Sequence, residues 1–173
     1  MGADKIVSIA AAQVGVREAT GSNDGTPSSR YMGGRREPWC GHFAVWCYRT
    51  AGLKVPKDRP GRSGVGGENP LASVDFFETT MKRDGWWLPR TTAPQLGDLV
   101  FFADRTGSDR GGGRIQRHMG IVERFDEFTD VVHTIEGNIA NQVARRVHRH
   151  DDPRITGYAR PPEQPGEGVS NVE

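Results

Sequence analysis

A cysteine in the first turn of a helix gains from the positive end of the helix dipole and from backbone N–H groups without partners. Both favour the thiolate, the form that attacks carbonyl carbon. The same N–H groups can hold an oxyanion. Cys40 occupies such a place. Pro38 suits a helix start and Gly52 a C-terminal cap, and Cys40, Phe43, Ala44, Cys47 and Ala51 recur along one helical face. The spacing predicts a helix over 38–52 with Cys40 in its first turn, turned towards the core. The alternative is a small buried hydrophobe, the usual state of a free cysteine. Cys47, seven residues on, would lie roughly 10 Å away along the helix, beyond the ~7 Å that a disulfide allows.

A thiol nucleophile needs a base, normally histidine, and the base needs an orienting partner. Of five histidines, His118 opens the strand Met119-Gly120-Ile121-Val122-Glu123, at a sheet end that a helix N-terminus can reach. If Phe125 and Val131 close the following hairpin, Gly120 falls opposite Glu136 and His118 opposite Asn138, all on one face. Glu136 is then diagonal to His118, with Gly120 leaving it room to lean across, and Asn138 is directly opposite. Either can hold the imidazole. A one-residue slip would turn His118 away from both. The remaining histidines read differently: His42 as a surface or rim residue, His133 as facing away from Glu136, and His148 and His150 as part of a solvated basic strand edge. No C-x-x-C or H-E-x-x-H pairing marks a metal site, so none is expected.

These residues need a scaffold. The chain has 173 residues, 35% hydrophobic and 26% charged, enough for one domain with one core, and no apolar run long enough to span a bilayer. A net charge of +1 gives no general drive towards nucleic acid or anionic lipid. Gly and Pro make up about a fifth of the chain, which predicts long loops. Helices are expected over 4–14 and from about 70 to 83, burying Leu71, Val74, Phe77 and Met81. Thr20 to Gly34 reads as a polar loop. Beyond Gly85 the period changes to alternation, with five short strands at 99–102, 119–125, 131–136, 142–149 and 155–159. The fold class is therefore α+β, with N-terminal helices packed on an antiparallel sheet of about five strands. The domain is expected over residues 4–161, with a flexible polar tail at 162–173. No targeting signal is visible at the N-terminus, which predicts a chain made in the cytoplasm.

The ordered set Trp39-Cys40-Gly41-His42-Phe43-Ala44-Val45-Trp46, Gly97-Asp98-Leu99-Val100-Phe101-Phe102, His118-Met119-Gly120-Ile121-Val122 and Thr134-Ile135-Glu136-Gly137-Asn138 resembles the CHAP domain. This is the cysteine, histidine-dependent amidohydrolase/peptidase family of the NlpC/P60 superfamily. A closing Ile155-Thr156-Gly157-Tyr158-Ala159-Arg160-Pro161 also fits. The resemblance implies a papain-like fold, Cys40 as nucleophile, His118 as base, and Glu136 as third member with Asn138 in support. It implies a monomeric hydrolase of bacterial peptidoglycan acting at the wall or in the periplasm without a cofactor: a phage endolysin, or a toxin countered by an immunity protein. A wall-binding domain that has lost catalysis is the third alternative. Some phage members carry an aspartate-rich calcium loop, but Ser22-Asn23-Asp24-Gly25-Thr26 has a single acid, and no calcium site is carried over. Trp39, Trp86 and Trp87 are candidate platforms for sugar or peptide, with packing as the alternative. Arg117, with Arg110 and Arg114, is a candidate for stem-peptide carboxylates. Loops 57–69 and 104–116 are expected to rim the cleft.

Overall fold

The described residues form four helices and six strands. In the computed structural model these are α1 Gly2–Ala11, α2 Thr26–Tyr31, α3 Cys40–Ala51, α4 Val74–Arg83, β1 Trp87–Pro89, β2 Leu99–Asp104, β3 Gln116–Asp126, β4 Val131–Ile139, β5 Gln142–Arg149 and β6 Ile155–Ala159. The structure describes residues 2–53, 72–104 and 116–162. The expected rim loop 57–69, all of the expected loop 104–116 but its two ends, Leu71, Arg110, Arg114 and the expected tail lie outside the described residues, except for residue 162.

The helix carrying Cys40 starts two residues later than expected, with Trp39 as N-cap and Pro38 outside it, and closes on Gly52. It is buried on nearly every side, as a helix enclosed between other elements must be. α1 begins at Gly2, so Asp4 lies in its first turn rather than capping it, and Ile6 and Ala10 face the core. α4 starts at Val74 because Ser73 caps it, its side chain accepting from Phe76 N at 3.3 Å. The expected polar loop contains α2, six residues with Pro27 in its first turn. Its core contribution is Tyr31, which packs against Trp39, Phe43 and Trp46.

Six strands form one antiparallel sheet in the order β1-β6-β2-β3-β4-β5. The additional strand, β1, has three residues, too few for alternation to reveal. Leu99, Phe101, Met119, Ile121 and Ile135 join the core beneath the helices. Val100, Phe102, Val122, Val132, Ile155 and Tyr158 make a smaller cluster on the other face. α3 packs on β3 and β4, and Gly137 permits the contact: a Cβ there would stand 2.7 Å from Phe43 Cβ.

The β3–β4 register places the site. Ile121 pairs with Ile135 and Val122 with Thr134, so the expected alignment of Gly120 with Glu136 continues that register. The hairpin end differs from expectation: Phe125 pairs with Val132, and Asp126 with Val131. An irregularity between Val122 and Arg124 absorbs the extra residue. The alignment expected near His118 therefore depends on a bulge that the alternating pattern does not announce.

Candidate functional site

Cys40 is the first residue of α3 and only 6% exposed. The first intrahelical bond is Phe43 N to Trp39 O, 2.9 Å, and the amides of the opening turn have no intrahelical acceptor. The His118 ring and the backbone N–H groups of Met119 and Gly41 lie close enough to the sulfur to favour its thiolate. His118 Nε2–H donates to Glu136 Oε2 at 2.9 Å, which leaves Nδ1 for the sulfur. Gly120 makes this possible, since a Cβ there would lie 2.5 Å from Glu136 Cγ.

Glu136 is 1% exposed, an expensive place for a charge unless donors surround it. Three do. Besides His118, Thr134 Oγ1–H donates to Oε1 at 2.5 Å and His148 Nε2–H donates to the same oxygen at 2.7 Å. Burial alone would raise the Glu136 carboxyl, but the bonds from His118 and His148 outweigh it and hold it down at about 2. Burial likewise opposes a charged His118, and its bonds to Cys40 and Glu136 reverse this, raising it to about 10. At Cys40 burial acts against the thiolate, while the His118 hydrogen bond and charge, with the two backbone N–H groups, bring the thiol below its ordinary value. The arrangement favours a thiolate–imidazolium pair. Cys47, buried and without such neighbours, is pushed up. The two cysteines are free thiols.

Cys40, His118 and Glu136 open, together with Asn138, Arg146 and His148, onto a cavity of about 570 Å³. Asn138 contributes to its wall from a left-handed backbone position, φ 63°, where the β4–β5 pairing is irregular. Glu136, not Asn138, takes the His118 ring nitrogen.

Other expected site residues stand elsewhere. Trp39 is fully buried, donates from Nε1 to Glu18 Oε1 at 2.7 Å and stacks on Tyr31, so it braces the core rather than offering a platform. Trp86 and Trp87 pack against the core, with Trp87 on the far edge strand beside Phe101 and beneath Lys82 Nζ. Arg117 reaches the cavity wall, but Asp75 and Glu78 hold it, each at 2.6 Å, and it ties β3 to α4. His42 is 2% exposed and bonds Glu37 Oε1 at 2.8 Å, contrary to the surface position expected for it. Continuous burial around α3 is the reason. His133 follows the alternation away from Glu136, pairing with Arg124 and Val147.

His148 is the residue that the sequence reading missed. In place of the solvated edge expected for it, it is buried on Glu136 and against Phe102. His150 is also half-buried, near Thr92 O and Asp130. The cross-strand partner of His148 is Val132, and that of Glu136 is Ala144, so nearest-neighbour pairing does not connect them. The available signal was phase: His148, Arg146 and Ala144 alternate onto the face of Glu136.

Among the described residues no group of three or more His, Cys, Asp or Glu is placed to hold a metal ion. The side chain of Asp24 turns inward, accepting from Thr20 N, Thr20 Oγ1 and Ala19 N.

The CHAP domain family model matches residues 31–138. Two solved structures share the fold, Ly7917 (TM-score 0.52) and Ly7917 with the hydrolyzing product of MDP (0.54). Each is 18% identical over 92% of this chain, which spans 62% of the length of each of them. No curated protein matches.

Proposed function

The chain belongs to the CHAP domain family, and on that premise we propose that it hydrolyses an amide bond of bacterial peptidoglycan through a Cys40 thiolate. The observation that carries this reading is Cys40 beside a His118 that is hydrogen-bonded to Glu136, all three open to one cavity. The Cys40 proton moves to His118 Nδ1, and the sulfur attacks the carbonyl carbon to form a tetrahedral oxyanion. Backbone N–H groups at the start of α3 stabilise that charge. The oxyanion collapses, the C–N bond breaks, and imidazolium gives its proton to the departing amine. Water, deprotonated by His118, attacks the thioester and releases acid and thiol. Glu136 keeps His118 in the tautomer with Nδ1 towards sulfur and supports its cationic form. Arg146 stands exposed at the cavity wall, suited to a stem-peptide carboxylate. A related fold that holds a hydrolysis product supports the hydrolytic reading.

Within this reading the bond is either that between N-acetylmuramic acid and L-alanine or one within the stem or cross-bridge peptide. The setting is a phage endolysin or other wall-lytic enzyme, or a secreted interbacterial toxin. Cys40→Ala should fold, with a melting temperature near that of wild type, and should not clear purified sacculi. Clearance at the wild-type rate would overturn the mechanism. Mass spectrometry of muropeptides released from defined peptidoglycan identifies the bond. Iodoacetamide labelling discriminates the non-catalytic alternative, in which Cys40 reacts no faster than free cysteine.

A further inference from the structure

Two imidazoles converge on one buried carboxylate, and the mechanism uses only one of them. His148 Nε2–H donates to Glu136 Oε1 at 2.7 Å while His118 Nε2–H donates to Oε2 at 2.9 Å. Phe102 packs against both rings, with centroids 4.7 Å from His148 and 5.9 Å from His118. His148 is 8% exposed. From this geometry we propose that His148 is a positioning residue: as an N–H donor it pins the Glu136 carboxylate in the one orientation that aims Oε2 at His118. The inference rests on the proposed thiol mechanism and adds a fourth side chain to it.

A glutamate carboxylate turns about its last bond over a broad, shallow potential. Thr134 holds Oε1 from the same strand two residues away. The bond from β5 approaches that oxygen from a second element, and two donors on one oxygen fix the plane of the carboxylate. The other nearby acid, Asp152, has Oδ2 4.0 Å from His148 Nδ1, beyond hydrogen-bond reach, and is taken up by Arg154 at 2.7 Å. Arg146, two residues earlier on β5, and Arg154 both border the same cavity.

The test compares His148→Ala and His148→Gln, the amide N–H of glutamine standing in for Nε2–H. Two readouts are used: the rate of Cys40 alkylation by iodoacetamide against pH, with Cys47 replaced by Ala in every protein, and kcat and KM on solubilised peptidoglycan. His148→Ala should raise the alkylation inflection by about one pH unit. It should lower kcat by roughly ten- to a hundredfold, the size of one hydrogen bond to a charged group, with KM little changed. His148→Gln should restore both most of the way. If His148→Ala folds and leaves the inflection and kcat unchanged, the proposal is overturned. The same holds if Gln, folded as stably as wild type, restores neither. Should every protein leave peptidoglycan intact while the alkylation profile moves as stated, the positioning role stands and the substrate reading fails.

Discussion

Glu136 is a charged group whose burial only its neighbours make tolerable, and the site's pH behaviour follows from that. Its carboxyl, held at about 2 against an ordinary 4.5, contributes stability present above about pH 4.5 and lost as pH falls towards 2. His118, raised from 6.5 to about 10, contributes stability complete below about pH 6.5 and lost as pH rises towards 10. The melting temperature should therefore decline at both extremes, and Glu136→Gln should flatten the acid limb, which calorimetry across pH would register. The same variant removes the charge behind His118⁺. The proposed hydrolysis should fall roughly a hundredfold or more, and the pH at which Cys40 becomes alkylated should rise. A Glu136→Gln protein with the wild-type alkylation profile would contradict the electrostatic role assigned to the carboxylate. At this scale the sequence was informative about Cys40, His118 and Glu136, because each stands at a position whose local geometry can be worked out. It was misleading about Trp39 and His42. A tryptophan beside a nucleophile resembles a binding group and a histidine two residues on resembles a surface or rim residue, because burial around α3 cannot be read from residue type.

Elements turn these residues into a site by close approach. β3 and β4 meet so that Glu136 crosses above Gly120, with no room for a methyl group. Gly120→Ala should cost about 1–3 kcal/mol of stability, as overpacking does. It should also lower activity by more than that stability loss explains, since the displaced part is the carboxylate that holds His118. Urea unfolding together with the Cys40 alkylation profile separates the two effects, and an unchanged profile would show that Glu136 had kept its place. The register that creates this crossing was legible near His118, where alternation of Ile121 and Ile135 with their neighbours identifies the faces. It was not legible at the hairpin, because the bulge between Val122 and Arg124 is set by turn geometry. Likewise β1 is too short, and α2 too rich in polar residues, for periodicity to disclose them.

At the scale of the sheet, the Cys40 site and the Asp98–Arg160 anchor occupy opposite ends. Phe102 pairs with His118 at the site end, while Leu99 pairs with Ile121 towards the other. At that other end Arg160 donates from Nε and Nη2 to the two oxygens of buried Asp98, each at 2.8 Å, fastening the end of β6 to the start of β2. Asp98 also accepts from Gln95 N, and the Tyr48 hydroxyl of α3 donates to Gly97 O nearby. Arg160→Ala should leave Asp98 buried with its charge unpaired and lower stability by about 1–3 kcal/mol, while Cys40 alkylation stays at the wild-type rate. A change in thiol reactivity would show that the two ends are coupled.

By itself the amino-acid order determined the helix that carries Cys40, the strand alternation that puts His118 and Glu136 on one face, and the α+β class. All of these follow from interactions over one or two turns or between adjacent strands. Tertiary structure decided which neighbours complete the site. His148 lies opposite Val132 in the ladder and reaches Glu136 only through the way the sheet brings distant strand positions together. Arg117 is drawn to α4 by carboxylates some forty positions away. Alternation records which face such residues share, but the contacts themselves depend on the path of the whole chain.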